Sequence, residues 1–321
     1  MKVKKITNRN LKNFAKKLNA NYEIFYPQKL AEQFVLTKLD SEKEISLEGY
    51  RTLIPLKYIF YSPQENLIEK DRKPTIVFGA RACDIRGLNL LKKIYLEDTQ
   101  DPYYRDDVLI FSADCTSFHS SCFCTLLGDN PWLDNSFDLN FSPIENGYLV
   151  DIGSKRGEKF LLDYAEFFEE AKVSHEKERE LKRTKIKEQL KNHNENKTLN
   201  LEKIKKATKE NKSIFEEYGR TCVSCSSCTN VCPTCFCFFL SEGDKNKARY
   251  MDSCQFKGFA RVAGGANPKE ELITRFKNRF NCKFIYRPEA QESLGCTGCG
   301  RCIDVCQGKI NYKEVLIKLG E

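Results

Sequence analysis

Two stretches of this chain share one cysteine spacing, and that spacing limits its possible folds more than any other feature. Cys222-Val-Ser-Cys225-Ser-Ser-Cys228-Thr-Asn-Val-Cys232-Pro233 reads C-x2-C-x2-C-x3-C-P. Cys296-Thr-Gly-Cys299-Gly-Arg-Cys302-Ile-Asp-Val-Cys306 repeats it, with Gln307 in the proline's place. Three thiols at two-residue intervals wrap the backbone around one cubane, so a single loop serves three irons. The fourth, three residues further on and opening a helix, points away from that cube towards the other. The spacing therefore predicts two 4Fe–4S clusters that exchange ligands. Cluster one takes Cys222, Cys225, Cys228 and Cys306; cluster two takes Cys296, Cys299, Cys302 and Cys232. Zinc sites use paired C-x2–4-C units, and a third cysteine two residues on with a fourth three beyond fits them poorly. Ser224, Ser226, Ser227, Gly298 and Gly300 are small enough for backbone N–H groups to approach the sulfurs. The proline shapes an exit turn and is not a ligand, so its absence after Cys306 bears on the turn.

Composition agrees with metal ligation. The chain has 321 residues, a length that suggests two domains. Its 22 Phe and 14 Tyr can build a sizeable core, which excludes wholesale disorder. No apolar run approaches the ~18 residues of a membrane span. MKVKKITNRNLKNF is basic but has no apolar segment behind it, so it is no secretory signal, and the expected compartment is the cytoplasm. Thiols there are kept reduced, so 16 cysteines read as ligands or redox groups rather than disulfides. The net charge of +8 is spread along the chain, and filled clusters would reduce it to roughly +4. No nucleic-acid partner is expected.

The pattern along the chain predicts a mixed α+β protein in three parts: an N-terminal α/β domain (1–153), a charged helical connector (154–212) and a mainly helical ferredoxin-type dicluster domain (213–321). In the first, Leu11, Phe14, Ala15 and Leu18 have helical spacing. Glu23 to Tyr26 and Gln33 to Leu39 read as short strands. Thr75 to Phe78 and Val108 to Phe111 read as buried strands of a βαβ-like sheet, with a helix at Gly87 to Ile94 between them. Glu145-Asn146-Gly147 marks a hairpin turn. From 154 to 212 Lys and Glu dominate without Pro or Cys; an amphipathic helix begins it, and 176–212 is largely polar. Residues 233–295 separate the motifs, too long for the compact β-type ferredoxin, and Lys269 to Phe280 has a helical pattern.

Eight cysteines remain. Cys83, Cys115, Cys122 and Cys124 lie at strand ends or shortly after them in the first domain. Neighbouring strands can bring them together as a third cluster site, or they pack as small hydrophobes. Cys235 and Cys237 follow the first motif at once, with Cys254 later. These three are candidates for additional ligands, or for packing beside cluster two. Cys282, in a basic helical stretch, reads as structural. His119, His175 and His193 form no catalytic pattern, and no dinucleotide fingerprint, P-loop or nucleophile elbow appears.

Taken with IVFGARACDIRGL, DPYY, CFCTLLGDNP, YLVDIGSKRGE, CVSCSSCTNVCPTCFC, MDSCQFKGFARVAGGANP and CTGCGRCIDVC, the chain resembles the dicluster iron–sulfur subunits of cytoplasmic NAD(P)H-linked redox complexes. These are the families of the sulfhydrogenase beta subunit, on one hand, and of the iron–sulfur subunit in anaerobic sulfite reductase, on the other. The resemblance covers roughly 50–155 and 215–321. It implies a non-catalytic electron-transfer subunit with two 4Fe–4S clusters. A third on Cys83, Cys115, Cys122 and Cys124 is favoured, and the CPTCFC cysteines leave room for a fourth. It also implies a flavin, NAD(P)H-binding partner on one side and a terminal subunit on the other. DPYY and GYLVDIG lie nearer the hydrogenase type than the siroheme sulfite reductase or heterodisulfide reductase types. Two other readings compete. A self-contained reductase would need an open iron at Cys235, Cys237 and Cys254, and a zinc-stapled binding module would carry a few zincs in place of about eight or twelve irons.

Overall fold

The computed structural model describes residues 3–40, 45–66, 73–101, 103–105, 107–242 and 246–321. Strands β1 (Val3–Thr7), β2 (Glu23–Leu30), β3 (Gln33–Lys38), β4 (Gln64–Asn66), β5 (Thr75–Ala80), β6 (Leu109–Ala113), β7 (Leu139–Ile144), β8 (Gly147–Ile152) and β9 (Glu169–Glu170) come first. All but β4 join one mixed sheet, in the order β3-β2-β5-β6-β7-β8-β1-β9. The centre, β2-β5-β6-β7, is parallel. Within it β5 is buried at every position. The remaining pairs are antiparallel, including the expected β7–β8 hairpin, which turns at Glu145-Asn146 with Asn146 at φ 58°.

Helices α1 (Asn8–Asn19), α2 (Lys57–Phe60), α3 (Ala82–Lys92) and α4 (Lys155–Asp163) cover the sheet. Thr7 caps α1, accepting from Asn10 N, and the buried face of α1 is the Leu11, Phe14, Ala15, Leu18 stripe. Phe14 packs among Phe78, Phe111 and Phe160. Burying a side chain of this size is worth about 1.5–3 kcal/mol, so this stripe fixes α1 on the sheet. On the other face Val77 and Ala80 meet Ile85, Leu88 and Leu91 of α3.

The charged stretch is helical. α5 (Val173–His193) buries only Arg183, Ile186 and Leu190, and Leu190 rests on Cys122 and Cys124. After it come α6 (Leu201–Glu210), α7 (Ser213–Gly219), α8 (Ser227–Asn230), β10 (Cys237–Glu242), β11 (Lys247–Asp252), α9 (Leu272–Asn281), α10 (Arg287–Gln291), α11 (Arg301–Asp304) and α12 (Tyr312–Gly320). Phe215, Phe276, Phe280, Val315 and Leu316 form a second core, which Phe123 and Leu126 enter from the N-terminal half. β10 and β11 form a hairpin that the sequence pattern did not suggest. β4 adds to it as a third strand, and buried Arg249 pairs with Glu65 and Asp101. The two halves therefore share both a core and a sheet.

Candidate metal centre

The two cysteine motifs adopt one backbone path. Ser224 and Ser226 have φ of 53° and 60°, and Gly298 and Gly300, at matching positions, have 63° and 72°. Each loop thus places two left-handed residues between its first three cysteines and then enters a single helical turn, α8 or α11, and these two turns pack together. Left-handed backbone turns N–H groups inward. Those of Ser224 and Gly298 donate to the sulfurs of Cys222 and Cys296. Burial opposes charge on the exposed Cys225, yet the Ser227 hydroxyl and the N–H groups of Ser227 and Gln307 bring its pKa below the ordinary thiol value. Gln307 therefore does what a proline in its place cannot: it donates a backbone N–H across to the other motif.

The ends of the motifs meet, and Cys232 lies beside Cys228 of its own motif as well as beside the second motif. Cys222 has Cys306, Cys225 and Arg275 as neighbours. Cys302 has Cys299, Cys296 and Cys232. Burial pushes Cys296 up to about 11 and Cys302 up to about 12. Thiols so placed ionise through a metal or a nearby cation. Such cations are present. Buried Arg279 lies among Cys302, Cys228 and Cys232 and stacks on Tyr312 at 4.2 Å, and its Nε has no hydrogen-bond partner. Lys283 Nζ lies 3.1 Å from Cys232 Sγ and 3.4 Å from Cys235 Sγ. Thr297 Oγ1, inside the second loop, is likewise buried without a partner. Orphaned donors and buried cations around converging thiols suit an anionic iron–sulfur group with inorganic sulfide acceptors.

A second set forms in the N-terminal half. Cys83 opens α3 after β5, Cys115 follows β6, and Cys122 and Cys124 come from the loop beyond. Cys124 neighbours Cys115 and Cys122, and Cys83 neighbours Cys115 and Cys299. Burial raises all four, Cys115 to about 11. This set lies against the second motif: Phe123 N donates to Gly298 O at 2.8 Å, and Cys122 Sγ is 3.9 Å from Cys299 O. A Cβ on Gly298 would overlap the Cys124 backbone, and one on Gly300 the Ser121 carbonyl, so this close approach requires glycine at both positions.

The last three candidates divide. Cys235 is hydrogen-bonded to Cys232, which is held low while Cys235 is held high, so Cys235 is the S–H donor. Cys237, opening β10, neighbours Cys254 and Cys282 instead. Cys282, read from sequence as structural, belongs to that group. Lys57 of α2 donates to Thr229 O and Cys235 O, and burial lowers its pKa to about 8. Sequence reasoning missed Lys57, Arg279, Lys283 and Arg301, because a lysine or arginine in a basic chain carries no sign of burial.

Among the described residues, no three His, Cys, Asp or Glu side chains close on a point tightly enough for one metal ion. Zinc bound at about 2.3 Å would need its thiolates about 3.8 Å apart. A cubane presents them on four separate irons and spans a wider cage. No helix among the described residues is long and apolar enough to cross a membrane.

Comparison with known proteins agrees with this chemistry. Residues 221–310 match the family model for a 4Fe-4S dicluster domain. The chain is 29% identical to sulfhydrogenase 2 subunit beta of Pyrococcus furiosus, over 100% of this chain and 99% of that protein.

Proposed function

We propose that this chain, which carries a 4Fe–4S dicluster domain and serves as an iron–sulfur electron-transfer subunit, relays electrons in the cytoplasm. It links a flavin NAD(P)H-oxidoreductase subunit to the terminal catalytic subunit of a hydrogenase-type complex. When bound, the clusters supply the one-electron chemistry. The chain's residues hold, insulate and bias them. Cys222, Cys225, Cys228 and Cys306 hold cluster one; Cys296, Cys299, Cys302 and Cys232 hold cluster two; Cys83, Cys115, Cys122 and Cys124 hold a third. Cys235, Cys237 and Cys254 are not assigned a cluster of their own.

The observation that supports this reading is the meeting of the two motifs, with Cys306 beside Cys222 and Cys232 beside Cys296 and Cys302. It ties two distant loops into one unit with a fixed spacing. The contact of Cys122 with the Cys299 carbonyl supports an order in which cluster two stands between cluster one and the N-terminal set. Exposed Cys225 and Val223 leave the cluster-one end open to a partner. The hydrogenase preference rests on the name of the full-length relative.

Anaerobic purification from the native host tests this. The expected result is a brown protein with about twelve irons and matching sulfide, copurifying with a flavoprotein and a nickel–iron protein. Copurification with a siroheme or heterodisulfide-reductase-like companion would redirect the terminal step. A colourless protein silent in EPR after dithionite, despite full iron supply, would end the reading.

A further inference from the structure

We propose that Lys283 sets the redox balance between the two motif clusters by raising the reduction potential of the one held by Cys232, Cys296, Cys299 and Cys302. This rests on the cluster assignment above. Lys283 lies in the π-helical turn Cys282–Tyr286 that continues α9, and it is 3% exposed. Its Nζ, with three N–H donors, lies 2.6 Å from Gly295 O, 2.8 Å from Thr234 Oγ1, 3.1 Å from Cys232 Sγ and 3.4 Å from Cys235 Sγ. None of these is a carboxylate. An ammonium kept in a dry interior needs a counter-charge, and here sulfur is the nearest one. The fit is specific, because a Cβ on Gly295 would press on the Lys283 backbone.

Two other buried cations, Arg51 and Arg301, also stand beside Cys299 of this cluster, but they pair with the carboxylates of Asp304 and Asp84. Arg279 neighbours Cys228 of one set and Cys302 of the other, so it acts on both. Arg275 neighbours Cys222, but its guanidinium donates to the carbonyls of Gln255, Lys269 and Glu270 and to the Ser224 hydroxyl. Lys57 binds carbonyl oxygens. Of these cations, only Lys283 donates directly to a motif sulfur, and on one side only. One-electron reduction adds one negative charge and makes or breaks no bond. A fixed ammonium on a ligand sulfur stabilises the electron-rich state more than the electron-poor one, so the potential rises. Lys283 is thus a positioning residue for charge and binds no substrate.

The test is a redox titration of the full-length, anaerobically prepared protein with dithionite and dyes, each cluster read by EPR. Cys232→Ser identifies the cluster-two signal. Lys283→Gln should make reduction of cluster two at least tenfold less favourable, about 59 mV per tenfold for one electron. Cluster one should stay in place, and Lys283→Arg should stay nearer the wild type. A fully iron-loaded Lys283→Gln protein with both potentials unmoved, or both shifted equally, overturns the proposal. Iron and sulfide analysis of the wild type comes first. Absence of two clusters there removes the premise, whereas two clusters with an unmoved potential remove only the role of Lys283. Should Lys283→Gln lose its cluster, wild-type protein labelled with 15N-lysine decides. Pulsed EPR should then find a 15N coupling on reduced cluster two and none on cluster one, and its absence from cluster two overturns the proposal.

Discussion

Arg301, one residue before Cys302, donates from Nη2 to Oδ2 of Asp84, one residue after Cys83, at 2.6 Å, and both side chains are almost wholly buried. The pair joins the second motif to the N-terminal cysteine set. Arg301 also reaches Thr52 O at 2.7 Å. Removing one member of such a pair leaves an uncompensated charge indoors, at about 3–5 kcal/mol. Arg301→Met should therefore lower the thermal midpoint of the holoprotein sharply, and adding Asp84→Leu should recover much of the loss. A midpoint that Arg301→Met leaves unchanged would show that the pair does not couple the halves.

The two motif loops pose a contrast of strain. Ser226 holds a left-handed backbone that costs a side-chain-bearing residue about 1–2 kcal/mol. Ser226→Gly should raise the melting temperature, with about 1 kcal/mol gained once glycine's extra chain entropy is set against the relief. Gly300→Ala should do the opposite, adding that strain together with an overlap on the Ser121 carbonyl. Differential scanning calorimetry of both variants reads the signs.

Crossing of ligands is tested by single serines. Cys306→Ser should disturb the EPR signal of the cluster held by Cys222, Cys225 and Cys228 and spare the other. Cys232→Ser should do the reverse. If Cys306→Ser perturbs only the signal of Cys296, Cys299 and Cys302, each motif keeps its own fourth cysteine and the assignment is wrong.

Gln307 supplies an N–H to Cys225. Gln307→Pro restores the usual residue after the fourth cysteine but deletes that donor. A hydrogen bond to a ligand sulfur favours the reduced, more negative state. The potential of cluster one should fall in this variant while that of cluster two holds, a result readable in the same EPR titration.

Cys83, Cys122 and Cys124 are buried and Cys115 half-buried beside them. Cys124→Ser should lower the iron content from about twelve to about eight per chain, leaving the two motif clusters' EPR signals present. Iron content unchanged from the wild type would mean that the four thiols are packing residues.

The motif spacing by itself pointed to the 4Fe–4S dicluster domain that residues 221–310 match, because local chain geometry dictates how many irons one loop can serve; the crossed ligands are an expectation from the same spacing. Apolar periodicity likewise gave α1, the buried strands β5 and β6 and the β7–β8 hairpin, since each follows from side chains a few residues apart. The β10–β11 hairpin was hidden, because its opening Cys237 reads as a continuation of the motif and its third strand, β4, comes from far away in sequence. Only tertiary packing decided that the second motif lies against Cys122 and Cys124, that Cys237 keeps company with Cys254 and Cys282 while Cys235 turns to Cys232, and that Lys283 meets sulfur rather than water. Those relations join residues that are mostly tens to hundreds of positions apart. Burial and charge, which set the behaviour of such groups, are properties of the folded surroundings and not of the residue itself.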